Sequence, residues 1–164
     1  MNEESAKARS REGMREGGMM DLFEFRERGL SGVAEETEAL AQVVIGALIE
    51  VHSDLKPGLP ENVYKLAVCH ELSLRGIEFE CEVRIPIAYK GKAVGEGFVD
   101  ILVQRQLVLE LKAVEVLNDV HRRQVLGYLQ AMNLQLGLLI NFNVAQMRNG
   151  IKRIVNTYKE GLRA

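Results

Sequence analysis

Hydrophobic positions recur every three or four residues from Thr37 onward. Leu40, Val43, Val44, Ala47, Leu48 and Val51 form a stripe with the period of an α-helix, and Thr37 is placed to cap it. A turn is expected at Lys56-Pro57-Gly58. A second helix should run from Pro60, where the missing N–H is not needed, to Arg75, with Gly76 closing it. The pattern then changes to alternation. Glu78–Tyr89 alternates and ends at the turn signal Lys90-Gly91, and strands follow over Ala93–Val103 and Leu107–Val116, joined through Gln104-Arg105-Gln106. Asn118 or Asp119 caps a third helix reaching about Asn133. Gly137–Phe142 reads as a short buried strand and Gly150–Val155 as a last strand at an edge. The order helix–helix–strand–strand–strand–helix–strand predicts an α/β fold with helices packed on a mixed sheet.

Residues 1–33, rich in Gly, Glu and Arg, carry little periodicity and read as a flexible extension with a short helical piece at Asp21–Arg28. Residues 34–164 are then the folded domain. A chain of 164 residues, 47% hydrophobic and 27% charged, suits one globular domain. No apolar run approaches the ~18 residues of a membrane span, and the N-terminal segment lacks the apolar centre of a signal peptide. A cytoplasmic or nucleoid location and no membrane partner are expected. Cys69 and Cys81 are too few for a disulfide framework or a four-ligand zinc site, and read as ordinary structural cysteines.

Net charge is −2, which does not advertise a nucleic-acid partner. The balance is uneven, because residues 1–36 hold six Lys/Arg and nine Asp/Glu while the rest is slightly basic. Charge neither supports nor excludes a nucleic-acid substrate.

The chemistry-bearing segment is Leu107–Val116, LVLELKAVEV. Both faces are largely apolar, as in a central strand, yet Glu110 and Lys112 lie two residues apart on one face. Buried charges must be paired, bound to something or near solvent. A hairpin centred on Arg105 sets Asp100 opposite Glu110, a like-charge pair that destabilises a sheet unless a cation lies between. The plainer reading is a Glu110–Lys112 ion pair with Asp100 at a frayed edge.

Asp100 followed by Glu110-Leu111-Lys112 resembles the D…(D/E)xK signature of the PD-(D/E)xK nuclease superfamily. Gly58-Leu59-Pro60-Glu61-Asn62-Val63-Tyr64 resembles GxxExxY, the motif naming one of its families of small bacterial and archaeal proteins. Glu50-Val51-His52, Gly95-Glu96-Gly97-Phe98, Glu110-Leu111-Lys112-Ala113-Val114, Leu139-Ile140-Asn141-Phe142 and Gly150-Ile151-Lys152-Arg153-Ile154 are similar to that family as well, so the likeness spans roughly residues 37–156. It implies a restriction-endonuclease-like core in which Asp100 and Glu110 hold Mg²⁺ or Mn²⁺ with the Leu111 carbonyl. Glu61 would reach the same ion directly or through water, and Lys112 would orient the attacking water and stabilise charge on the phosphate. The proline of the superfamily name is absent, since Val99 precedes Asp100.

Gln124 and Tyr128 resemble the QxxxY pattern of RecB-type nucleases, one helical turn apart, with His121 on the same side. They are expected to line the cleft; the alternative is a Tyr128 packed in the core. His52 either borders the site or serves packing or capping, with Tyr64 a further supporting residue. Arg122 and Arg123 are candidates for phosphate contacts, or simply a solvated helix face. The expected function is metal-dependent hydrolysis of phosphodiester bonds, with DNA as substrate. The alternatives are a non-catalytic nucleic-acid-binding or partner-regulating module and an oligomeric scaffold, which leaves a homo-oligomer or a partner protein open.

Overall fold

The computed structural model describes residues 32–157. The extension expected over residues 1–33, with its helical piece at Asp21–Arg28, lies outside them except for its last two residues. There the Gln135 side chain accepts from the Ala34 N–H at 2.8 Å and donates to the Gly32 carbonyl at 2.9 Å.

Helix α1 (Glu35–Leu55) begins before the expected cap. Ala34 is its N-cap, and Glu35, Glu36 and Glu38 place negative charge at the positive end of the helix. Thr37 instead lies buried in the first turn, its hydroxyl 3.3 Å from the Gln106 amide oxygen. Helix α2 (Glu61–Leu74) follows the Lys56–Gly58 turn, with Pro60 as N-cap and Gly76 beyond its end at φ 68°. The helix is thus one residue shorter at each end than expected, with Pro60 just before it and Gly76 in the left-handed conformation that glycine adopts freely.

Strands β1 (Phe79–Tyr89) and β2 (Lys92–Val103) form a long antiparallel hairpin. Its turn, Lys90-Gly91, has φ of 47° and 80°, the left-handed pair that matches the twist of two-residue hairpins. Strand β3 (Leu107–Lys112) continues antiparallel, and helix α3 (Asp119–Met132) crosses over to β4 (Leu136–Asn141), which runs parallel to β3. A four-residue helix α4 (Met147–Gly150), which periodicity does not reveal, precedes the antiparallel edge strand β5 (Ile151–Val155). The five-stranded mixed sheet has the order β1-β2-β3-β4-β5 and is flanked by helices, as the sequence predicts.

Strand β4 is buried along its whole length and β3 up to Lys112, so both faces of the sheet centre are covered. The third expected strand reaches Val116, but β3 stops at Lys112. The reason is Asn141, whose amide accepts from the Val114 N–H at 3.1 Å and donates to the Val114 carbonyl at 2.9 Å. That buried side chain takes over both polar groups of Val114 and turns the chain out of the sheet.

Strand β2 is irregular near its C-terminal end. Val99 and Leu102 both join the apolar cluster around Val125 and Leu129 of α3. Three residues apart on an unbroken strand, they would face opposite sides. The alternation of β2 is therefore interrupted between them, at Asp100-Ile101. At the same level of β1, Glu82 adopts φ 53°, and the pairing steps from Cys81↔Ile101 to Val83↔Val99 without Glu82 and Asp100. Both strands kink there, which takes Asp100 out of the regular ladder.

Candidate active site

The β2–β3 turn places Gln104 and Arg105 at φ 47° and 54° and gives the pairs Val103↔Leu107, Leu102↔Val108 and Ile101↔Leu109. That is the register expected for a turn centred on Arg105, but the pairing ends one step before Asp100 would meet Glu110. The two strands part there. The Asp100 carboxylate takes the place of a ladder acceptor, receiving the Leu111 N–H on Oδ2 at 2.8 Å.

Glu110 points into this fork almost out of reach of water, with 4% of its surface exposed. Its Oε1 lies 3.7 Å from Lys112 Nζ, while Oε2 is buried without a hydrogen-bond partner. Burial pushes its carboxyl up to about 7, and the charge of Asp100 pushes in the same direction. Lys112 and the Asp100 backbone N–H oppose this, and Glu61 on α2 adds a further upward push. Glu61 is therefore within electrostatic reach of Glu110.

Sequence reasoning missed Lys65. From the next turn of α2 it pairs with Glu82 and lies 3.5 Å from Asp100 Oδ1. Its ammonium is held above the usual lysine range, chiefly by the hydrogen bond to Glu82, against the opposing effect of burial. The signal was available, since Lys65 follows Glu61 by four residues and shares its helix face. Seeing its use required knowing that the β1 kink brings Glu82 beside Asp100.

The remaining sequence candidates have the following surroundings. Tyr64 is fully buried and stacks on Phe142 with ring centres 4.5 Å apart. Its hydroxyl accepts from the Leu59 N–H at 3.0 Å and donates to the Lys56 carbonyl at 2.5 Å, which closes the turn leading into Glu61. His52, also buried, bonds through Nε2 to the Val144 carbonyl at 2.8 Å and ties α1 to the segment after β4. His121 completes a capping box with Asn118: Nδ1 accepts from the Asn118 N–H at 3.3 Å, while the His121 N–H donates to the Asn118 side chain at 3.1 Å. Gln124 donates to the Tyr128 hydroxyl at 3.0 Å, and the Tyr128 ring lies so close over Gly97 that a Cβ there would sit 2.4 Å from it. Tyr128 thus packs partly against the α3 cluster while its hydroxyl stays with Gln124. Arg122 and Arg123 are exposed on α3.

A divalent cation fits this donor set in chemistry, although no three of His, Cys, Asp and Glu form a ready cage among the described residues. Two carboxylates repel across the fork, and one buried carboxylate oxygen has no partner. Mg²⁺ commonly takes only one or two protein carboxylates and completes its shell with water and substrate oxygens. Asp100 and Glu110 can supply that pair, with Glu61 a further oxygen.

No curated protein matches the sequence. A solved structure titled "Crystal structure of SSO0001" is similar over 87% of this chain and 78% of its own, at 19% identity and a TM-score of 0.47. The family model described as the PD-(D/E)XK nuclease superfamily matches residues 38–154, from the first turn of α1 to the edge strand. With its mixed sheet, its flanking helices and an acidic fork followed by a lysine, this chain belongs to the PD-(D/E)XK nuclease superfamily.

Proposed function

We propose that the protein hydrolyses phosphodiester bonds of DNA, using Mg²⁺ or Mn²⁺ held by Asp100 and Glu110. The observation that carries this reading is the partnerless Oε2 of Glu110, buried beside Asp100 where β2 and β3 part. Buried polar atoms rarely go without a partner, so an orphaned carboxylate oxygen calls for an explanation, and a bound cation supplies one. Superfamily members generally rely on divalent metals, which agrees with this use.

Asp100 and Glu110 would hold the ion, with the Leu111 carbonyl and Glu61, directly or through water, completing the protein's share. When bound, the ion supplies positive charge against the phosphate and lowers the pKa of its water. Lys112 presents a positioned ammonium at the same fork, where it orients the water and offsets charge developing on phosphate oxygens. Leu111 fixes Asp100 through its N–H. Gln124 and Tyr128, braced over Gly97, form the flanking wall that meets the substrate, with His121 at the start of the same helix. Tyr64 and His52 keep the two turns around the site in shape.

Within the superfamily, we place the chain in the GxxExxY family. Each named position has a physical reason here. Gly58 takes φ 108°, Tyr64 closes the turn through its hydroxyl, and Glu61 opens α2 toward Glu110. The same reading makes residues 34–164 the nuclease-like domain and residues 1–33 an extension, in a cytoplasmic protein. Among the described residues no helix is long and apolar enough to cross a membrane.

The pairing of Lys65 with Asp100 favours a second reading, in which the lysine serves as a built-in counter-ion and the domain binds nucleic acid without cutting it. Cleavage of labelled single- and double-stranded DNA with Mg²⁺ or Mn²⁺, and with chelator, separates the two. The nuclease reading expects metal-dependent cleavage that falls at least ~10²-fold in Lys112→Ala, as for other electrostatic groups at a transition state. Equal background cleavage by wild type and variant leaves only the binding module.

A further inference from the structure

We propose that Cys69 and Cys81 form a reversible disulfide that fastens α2 to β1, with a hydroperoxide as oxidant. This goes beyond the nuclease reading and does not depend on it.

The geometry carries the proposal. The two sulfur atoms lie 2.8 Å apart although they belong to different elements, one in the middle of α2 and the other on the first residues of β1. Reaching a disulfide length of about 2.05 Å takes less than about 1 Å of side-chain movement. They are also the only cysteines in the chain, so no other pairing within the molecule competes. Cys81 is exposed and meets an oxidant first, while Cys69 is half-buried behind it. Burial and the neighbouring Cys81 push the Cys69 thiol up to about 12, so it remains an S–H until its partner is oxidised.

That order defines the chemistry. The Cys81 sulfur attacks the peroxide, the O–O bond breaks, and a sulfenic acid forms as an alcohol or water leaves. Cys69 then attacks the sulfenic sulfur, its proton goes to the departing oxygen, and water leaves as the S–S bond forms. In total two S–H bonds are lost, one S–S bond is made and one peroxide is reduced. A dithiol reverses the step by exchange.

The cross-link would lie against the acidic fork. Glu61, Lys65 and Cys69 follow one another at intervals of four along one face of α2, and Cys81 immediately precedes the kinked Glu82 that Lys65 binds. Oxidation therefore pins the helix that presents Lys65 to the strand that presents Glu82.

The test uses the full chain, reduced and then treated with hydrogen peroxide. Trypsin cuts after Lys65, Arg75 and Arg84, so the two cysteines fall in separate peptides, and the expected product is those peptides joined with the loss of two hydrogens. The oxidised protein should melt roughly 5 °C or more above the reduced one, because a short loop is closed in the unfolded chain. A dithiol should abolish the rise, and Cys81→Ser and Cys69→Ala should never show it. Over-oxidised Cys81 beside a free Cys69 thiol would overturn the proposal. So would Cys81 linked between two molecules, or a joined protein that melts no higher.

Discussion

The Leu111 N–H donates to Oδ2 of Asp100 at 2.8 Å, across the point where their two strands stop pairing. One hydrogen bond thus joins the residue between Glu110 and Lys112 to the carboxylate of the neighbouring strand. Asp100 thus has a structural duty beside the metal-holding role proposed for it, and the two can be separated by substitution.

Asp100→Asn keeps an oxygen for the Leu111 N–H and removes the charge that repels Glu110. In chelator it should be within about 1 kcal/mol of wild type. Asp100→Ala removes the acceptor and leaves a buried N–H unpaired, which costs about 1–3 kcal/mol. Both should lose most of the stabilisation that Mn²⁺ gives the wild type, about 2.7 kcal/mol at a hundredfold excess over Kd. Denaturant melts with Mn²⁺ and with chelator test this. An alanine variant as stable as the asparagine one would remove the structural role.

Glu110 predicts how stability depends on pH. Its carboxyl is pushed up to about 7 in the folded protein, chiefly by burial, against 4.5 without the fold. Between those values the folded state holds a proton that the unfolded state has lost, so stability should fall as pH rises from 4.5 to 7. The loss amounts to about 3 kcal/mol and is complete above that window. Glu110→Gln should flatten this part of the curve and be the more stable protein at pH 8 without metal. Mn²⁺ must displace the same proton, so wild-type affinity should rise with pH up to about 7 and then level off. Melts in chelator across pH 4–9 read the first effect, and a wild-type curve no steeper than the variant's would refute it.

Tyr64 gives a prediction about which role a motif residue plays. Its hydroxyl hydrogen-bonds main chain, the Leu59 N–H and the Lys56 carbonyl, at the turn before α2. Tyr64→Phe should lower stability by about 0.5–1.5 kcal/mol for each of these two hydrogen bonds, since the Leu59 and Lys56 main chain lies at an exposed turn. The affinity of the folded protein for a DNA oligonucleotide should not change beyond what the lost folded fraction explains. A variant that folds as well as wild type but binds DNA more weakly would give Tyr64 a direct contact instead.

Much of the fold was legible in the sequence because period and turn chemistry agree. The apolar stripe of α1, the Lys90-Gly91 turn and the glycine after α2 each specify one local structure, and the turn Gln104-Arg105-Gln106 sets the register of β2 on β3. Asp100, Glu110 and Lys112 stood out because charges in an otherwise apolar strand need a reason. What alternation could not show is its own interruption. The kinks at Glu82 and Asp100 depend on contacts between strands, and with them goes the use of Lys65. His121 and Tyr64 were visible as polar residues near the site. That their polar atoms serve a helix cap and a turn follows only from where the main chain runs.

Lys65 supplies the last prediction. Its ammonium lies between Glu82 and Asp100, 3.5 Å from the latter, and a fixed positive charge so placed repels any cation that shares Asp100. At an effective dielectric near 20, two unit charges a few ångströms apart still interact by about 4 kcal/mol, well above thermal energy. Lys65→Met should therefore bind Mn²⁺ several-fold more tightly than wild type. In chelator the variant should be less stable, since Glu82 and Asp100 then face each other without their shared partner. The two effects have opposite signs, so a general loss of folding cannot imitate them. Lys65→Arg should restore the wild-type affinity if charge is what matters. Calorimetric titration of the three proteins with Mn²⁺, at low and at moderate salt, measures the change directly. If Lys65→Met binds more weakly, the lysine holds Asp100 in a ligating position rather than competing for it. Binding by none of the three proteins would point instead to the non-catalytic reading of the site.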